Sequence, residues 1–163
     1  FVPDAAGKTI TGDLVRGGQI WAAPSDGKSI TGPAAVVVPR MQGKTHHYPS
    51  ISPDGSWLTY NQSTCGGTPT RNGWGDDPCD GYNDPSARIM LSPITGGGVF
   101  DLARANGDAT WTNSWPRFSP DVGTYRGKPL LWIAFSSRRP YGARLAGATD
   151  DSVKPQLWFT AVV

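Results

Sequence analysis

Two sequence markers recur along this chain with nearly the same spacing. Residues 48–55 (YPSISPDG) match residues 115–121 (WPRFSPD) at an offset of 67 residues. A shorter marker occurs three times, centred on Ile20, Ile89 and Leu157, at spacings of 69 and 68 residues. Self-similarity at a fixed period is typical of repeat proteins, in which each repeat is one supersecondary unit packed on its neighbours. This repeat constrains the fold more than any other feature of the chain.

Each repeat predicts four short antiparallel strands. The segment 52–55 (SPDG) has the chemistry of a tight turn, because proline fixes φ, aspartate accepts a local hydrogen bond and glycine adopts positive φ. Apolar segments typical of strands lie at 19–23, 34–38, 57–60, 99–102 and 131–136. The predicted fold is therefore all-β, built from β-propeller blades of four antiparallel strands. The predicted blade portions are 18–40, 47–104 and 114–163, about two and a quarter blades, with an insert at 61–85.

Residues 48–60 (YPSISPDGSWLTY) resemble the PD40 repeat of TolB-like β-propellers, a WD40-like repeat family. Residues 115–137 resemble a second copy, in which Val122 replaces Gly55 and a longer turn at 123–129 follows. The resemblance implies a ring of blades, and a propeller needs at least about four blades to close. We therefore expect this chain, which does not begin with Met, to be a fragment of a larger propeller. Its remaining blades are expected in further sequence or in another chain.

Charge and hydropathy narrow the classes of partner. The chain has 15 basic and 13 acidic residues, and this balance does not indicate nucleic acid or an anionic membrane surface as partner. Its longest strongly apolar run, 130–135, is too short to span a bilayer. The number of tryptophans indicates a packed protein. Four of them lie in predicted strands and are expected in blade cores: Trp21, Trp57, Trp132 and Trp158.

The two cysteines lie in the Gly-, Pro- and Asp-rich insert. Thirteen residues separate Cys65 from Cys79. A disulfide across such a loop stabilises a fold by roughly 3 kcal/mol in the chain-entropy model. Two buried free thiols and a metal-binding pair are the alternatives, although polar inserts rarely bury thiols and few further ligands are nearby. The disulfide is our prediction, and it favours a periplasmic, secreted or cell-surface location.

The long connections between predicted strands are expected to share one face of the propeller. In an up-and-down blade, the second-to-third-strand connection and the connection to the next blade leave the same face. These connections are residues 41–47, 61–85, 105–114 and 138–155. Long loops on a rigid scaffold are where binding usually resides, so we expect a protein partner there. The predicted partner-contact residues are Trp74, Trp111, His47, Arg138, Arg139 and Tyr141.

The insert also carries a cluster of carboxylates. The predicted calcium ligands are Asp76, Asp77, Asp80 and Asp84. Carboxylate oxygens are the ligands that Ca²⁺ prefers, although the spacing is not that of an EF-hand loop. In the alternative interpretation these carboxylates are solvated and the Asp-Pro steps simply make turns.

Three smaller motifs have both a functional and a structural interpretation. His46 and His47 are neighbours and would point to opposite sides of a strand, so a turn or hydrogen-bonding role is expected rather than a metal site. Arg117 and the arginine pair at 138–139 form either an anion-binding patch or a set of solvated and salt-bridged side chains. Residues 61–63 (NQS) fit an N-glycosylation sequon, which has a meaning only in a eukaryotic secretory context.

The sequence contains neither a Gly-x-Ser-x-Gly elbow nor a His-Glu-x-x-His pair. The preferred hypothesis is therefore a non-catalytic extracytoplasmic propeller that binds or scaffolds proteins through its long-loop face, with no cofactor. One alternative is the propeller domain of a larger hydrolase, because TolB-like blades resemble those that gate some serine peptidases. The other is a calcium-dependent ligand-binding propeller that uses Trp74 and the aspartates of the insert.

Overall fold

The computed structural model describes residues 17–64, 81–82, 84–139 and 155–163. Within these ranges the chain forms nine strands and one short helix. In chain order they are β1 (Ile20–Ala22), β2 (Ala35–Val38), β3 (Lys44–Ile51), β4 (Trp57–Thr64), β5 (Arg88–Pro93), β6 (Phe100–Asp101), α1 (Ala103–Asn106), β7 (Thr112–Tyr125), β8 (Lys128–Arg138) and β9 (Gln156–Val162). The described helix is far too short to cross a membrane, and no other helix is present in these ranges.

The strands form three antiparallel sheets in which every strand pairs with its neighbour in sequence. The first sheet is β1-β2, the central sheet is β3-β4-β5-β6, and the last sheet is β7-β8-β9. None of the three sheets closes on itself within the described ranges. The predicted all-β class is confirmed, since strands separated by short turns can pair locally without crossover connections.

Two apolar clusters join the sheets face to face. The cluster between the first and central sheets is formed by Ile20, Val37, Val38, Leu58, Tyr60 and Met90. The cluster on the other face of the central sheet is formed by Ile89, Ala105 and Phe135, with Leu102 and Trp158 packed against it. Each large apolar side chain buried in this way contributes about 1.5–3 kcal/mol. The central sheet is therefore covered on both faces.

The sequence repeat is also a repeat of backbone conformation. Tyr48 and Trp115, which occupy equivalent positions before a proline, have φ values of 53° and 58°. The pairing of β3 on β4 shifts around Tyr48, and the pairing of β7 on β8 shifts around Trp115. A bulky residue with positive φ is uncommon. Its occurrence at equivalent positions, each beside a shift in strand register, shows that both repeats contain the same β-bulge.

The two repeats differ at the turn that follows the bulge. In the central sheet the predicted turn at 52–55 is present: Ser52 Oγ donates to Asp54 Oδ1 at 2.5 Å, and Gly55 has φ 72°. In the last sheet the predicted long turn at 123–129 is wrong, because strand pairing continues through most of it. The turn there consists of Arg126 and Gly127, with φ values of 51° and 77°. Two positive φ values match the twist of flanking strands and permit a two-residue hairpin.

The prediction that all four strand tryptophans lie in cores is wrong for two of them. Trp21 and Trp132 are each 42% exposed, whereas Trp57 and Trp158 are partly buried. The exposed pair lies on the outermost face of the first sheet and of the last sheet, which no described sheet covers.

Candidate functional site

The strand ends that flank the long connections lie at one end of the sheets. Lys44 at the start of β3 pairs with Thr64 at the end of β4, and Thr112 at the start of β7 pairs with Arg138 at the end of β8. The connections that enter β3 and β7 and those that leave β4 and β8 therefore share this end. We call it the loop end and define it by these four residues. It is the candidate functional site.

A buried arginine lies at the loop end, directly after β8. Arg139 is 6% exposed. Its Nε donates to Ser137 Oγ at 2.8 Å, and its Nη2 donates to Asn113 Oδ1 at 2.9 Å and to the Ala105 carbonyl oxygen. All of these acceptors are neutral, so the cation is held here by dipoles and not by a carboxylate.

Three aromatic rings complete the surroundings of this guanidinium. Its Cζ lies 4.9 Å from the ring centre of Trp111, 4.9 Å from that of Trp158 and 5.1 Å from that of Phe135. Cation–π attraction is worth about 2 kcal/mol or more when the pair is desolvated, which offsets part of the cost of burial. Arg139 therefore anchors the C-terminal end of β8 where the central and last sheets meet. Among the residues that the structure describes, Arg139 has no carboxylate partner and is not solvated, so it does not fit the interpretation of a solvated or salt-bridged side chain.

Three buried asparagines extend this polar joint. Asn61 is fully buried; its Nδ2 donates to the Asn113 carbonyl oxygen at 2.7 Å and its Oδ1 accepts from Trp115 N at 2.7 Å. Asn113 Nδ2 donates to the Asn106 carbonyl oxygen at 3.0 Å. Asn106 in turn binds both backbone groups of Ile89, at 2.7 and 3.0 Å. Side chains thus supply the hydrogen bonds that a bulged strand cannot obtain from its ladder.

The sequon at 61–63 is a structural motif in the folded chain. Glycosylation needs an accessible amide nitrogen, and Asn61 Nδ2 is buried and donates to two backbone carbonyl oxygens. The other joint-forming side chains, Asn106 and Asn113, were not anticipated from the sequence. The hydrogen bond from Asn61 to the Asn113 carbonyl oxygen joins residues 52 positions apart, so no local sequence pattern predicts it.

The two adjacent histidines are both buried and contact different parts of the structure. His46 is 1% exposed, and its Nδ1 lies 2.8 Å from the Gly18 carbonyl oxygen, to which the ring donates. Burial lowers the pKa of His46, so the imidazole is neutral at pH 7. His47 is 6% exposed and packs against Gly81, where an added Cβ would lie 2.8 Å from His47 Cδ2. His46 has the expected hydrogen-bonding role; partner contact by His47 stays a prediction.

Asp84 is placed where it closes a turn. It is 7% exposed; its Oδ1 accepts from Ser86 N at 2.7 Å and its Oδ2 accepts from Ser86 Oγ at 2.9 Å. Burial raises the pKa of Asp84, although these hydrogen bonds oppose the shift. No group of three metal-ligating side chains is found in the part of the chain that the structure describes. The other predicted calcium ligands, Asp76, Asp77 and Asp80, lie outside the described residues, so calcium binding stays a prediction.

Of the remaining predicted site residues, two can be placed. Trp111 and Arg138 are half-buried at the loop end. Trp74, Tyr141 and the cysteine pair Cys65 and Cys79 lie outside the described residues. Partner contact and the disulfide therefore stay predictions.

One exposed aromatic residue was not anticipated. Trp115 is 49% exposed and stacks on Tyr48, with ring centres 5.4 Å apart and an interplanar angle of 23°. Arg117, close by, donates from Nη1 to the Pro49 carbonyl oxygen at 2.8 Å. The signal for this pair was present in the sequence, because the two aromatic residues occupy the same position of consecutive repeats.

The chain matches no family model, no curated protein and no solved structure at a significant level.

Proposed function

We propose that this chain is part of a TolB-like β-propeller that serves as a non-catalytic binding or scaffold module outside the cytoplasm. Its protein partner binds at the loop end. The observation that carries the proposal is the repeated sheet: the same bulge, the same positive φ and the same order of antiparallel strands occur in two successive units. Radially repeated antiparallel sheets packed face to face are the building plan of a propeller.

The joint beneath the loop end supports a binding role. Arg139 and the asparagines Asn61, Asn106 and Asn113 tie the central and last sheets together directly below the long connections. Buried hydrogen bonds of this kind rigidify the structure around them. A rigid base beneath a binding surface lowers the entropic cost of binding, because less of that surface has to be ordered when the partner binds.

The chemistry of the loop end suits a protein partner. Trp111 is half-buried there, Arg104 on α1 is exposed, and the salt bridge between Arg88 and Asp101 is partly exposed, with an N–O distance of 2.8 Å. Aromatic and arginine side chains are enriched at the energetic centres of protein interfaces. Charges of both signs on the rim favour a protein over a uniformly anionic polymer.

The test compares two photo-crosslinking positions in the native host. A benzoylphenylalanine is introduced at Arg104, which is exposed at the loop end, or at Arg126, which is exposed in the hairpin turn at the opposite end of the last sheet. Both are arginines outside the strands, so the two variants are matched in exposure and in the charge removed. After irradiation, the crosslinked products are separated and identified by mass spectrometry.

We expect one protein partner to be captured reproducibly from position 104 and not from position 126. Capture from both positions, or from position 126 alone, would contradict binding at the loop end. Absence of any crosslinked protein from either position would contradict a binding role as such. Turnover of a substrate by the purified chain would favour an enzyme instead.

A further inference from the structure

The outer face of the last sheet is apolar and exposed. Ser136 pairs with Leu157, Ala134 pairs with Phe159 and Trp132 lies farther along the same face. Leu157 is 67% exposed, Phe159 is 62% exposed and Trp132 is 42% exposed. Side chains on one face of a sheet alternate along each strand, so these residues form one continuous surface. We call it the outer face. Contiguous apolar surface of this kind is a mark of an interaction site.

The repeat shows what normally covers such a face. Leu157 is equivalent to Ile89 and Phe159 is equivalent to Leu91, since the two pairs occupy the same register positions on their neighbouring strands. In the central sheet Ile89 is fully buried and Leu91 is 4% exposed. Ile89 is covered by the inner side of the last sheet, through Phe135. The surface that fits the outer face is therefore the inner side of a sheet of the same repeat.

The first sheet exposes such an inner side. Trp21 and Val36 pair across β1 and β2, and they are 42% and 41% exposed. Trp21 is equivalent in the repeat to Met90, which is 7% exposed because the first sheet covers it. We call the surface formed by Trp21 and Val36 the inner face. The outer face and the inner face therefore correspond to the two surfaces that pack together wherever one described sheet meets the next.

We propose that a second copy of this chain associates head to tail, with the outer face of one copy packed on the inner face of the other. Each copy carries both of these faces, so a second copy supplies the complementary surface. The contact is heterologous, because it joins two different surfaces; it either closes a ring or continues into a filament. This inference depends on the repeat and goes beyond the proposed function, since it does not involve the loop end.

Sedimentation velocity of the purified full chain, at concentrations up to about 100 µM, tests the proposal. Phe159→Asp removes the outer face and Trp21→Asp removes the inner face, and each change places a charge where the partner copy would bury it. Phe100→Asp is the matched control, because Phe100 is an aromatic residue 51% exposed on β6 at the edge of the central sheet and belongs to neither face. Circular dichroism verifies the fold of every variant, and Leu157→Asp replaces Phe159→Asp if that variant is unfolded.

We expect the unchanged chain and the Phe100→Asp control to associate equally. Each face variant alone should associate at least about tenfold more weakly, as loss of a buried aromatic anchor predicts. An equimolar mixture of the two face variants should recover a one-to-one dimer, because each member retains the face that the other lacks. A monomeric unchanged chain would refute the proposal. So would association of the single variants without loss, or a mixture that stays monomeric.

The outcome is independent of the test at the loop end. A symmetric dimer that uses one face on both copies would be weakened by only one of the two substitutions, whereas the head-to-tail contact is weakened by each of them. Capture of a partner from position 104 remains informative even if the chain proves monomeric.

Discussion

Asn61 is the residue whose removal should most directly weaken the joint between the central and last sheets. Its side chain is fully buried and connects two strands of different sheets. Asn61→Ala leaves the Trp115 N–H and the Asn113 carbonyl oxygen without the partners that lie 2.7 Å away in the native chain. No other side chain takes the place of the amide, because alanine ends at Cβ.

The expected cost follows from these two groups. A buried donor or acceptor that loses its partner costs about 1–3 kcal/mol, so the free energy of unfolding should fall by about 2–6 kcal/mol. The free energy of unfolding of a native domain is about 5–15 kcal/mol, so the expected loss is a large fraction of the total. Asn61→Asp retains an acceptor for Trp115 N but turns a carboxylate oxygen toward the Asn113 carbonyl. It should cost more than alanine at pH 7 and recover as the pH falls and the carboxylate is protonated.

Urea unfolding followed by tryptophan fluorescence measures both variants. The matched control is Ser136→Ala, because Ser136 pairs with Ser114 as Asn61 pairs with His47, but it lies on the outer face that no described sheet covers. The control should stay within about 0.5 kcal/mol of the unchanged chain. A loss below about 1 kcal/mol for Asn61→Ala, or equal losses for the two alanine variants, would refute the reasoning that the amide holds the sheets together.

Three further predictions concern the described residues. Arg139→Lys should lower the free energy of unfolding by about 1–3 kcal/mol, because an ammonium cannot reproduce the planar contacts of the guanidinium. The exposed control Arg104→Lys should change it by less than about 0.5 kcal/mol in the same urea titration. Burial lowers the pKa of His46 below 6.5 in the folded chain. As the pH falls below 6.5, the unfolded chain therefore binds the proton before the folded chain does. The free energy of unfolding then falls by up to about 1.4 kcal/mol per pH unit, and His46→Gln should reduce this pH dependence. Arg126→Asn should raise the midpoint of thermal unfolding and stabilise by roughly 0.5 kcal/mol, because asparagine tolerates the positive φ that arginine adopts there; an unchanged or lower midpoint would contradict this.

The repeat, the strand order and the turn at 52–55 could be predicted from the sequence because their causes are local. Proline, aspartate and glycine set the dihedral angles of that turn whatever lies around it, and the period of the markers fixes which segments are equivalent. Of the paired aromatic residues, Tyr48 and Trp115, the sequence showed the equivalence but not the stacking.

The extension of the last hairpin was not predictable in the same way. Gly123 and Pro129 are typical turn residues, but they lie in paired strands, and the reversal occurs at Arg126 and Gly127. Arginine carries little signal for positive φ. Cross-strand pairing over the neighbouring residues therefore decided where the chain turns, and local propensity was overridden.

Burial was decided by the tertiary structure alone. Arg139 was expected on a binding surface and is enclosed by three rings, whereas Trp132 was expected in a core and is exposed. Both outcomes depend on which sheet lies against a given face, and a strand's alternation defines its two faces without saying which one is covered. The sequence by itself determined the repeating unit. The packing of each unit on the next determined which of its side chains are buried, because burial is a property of two surfaces and not of one.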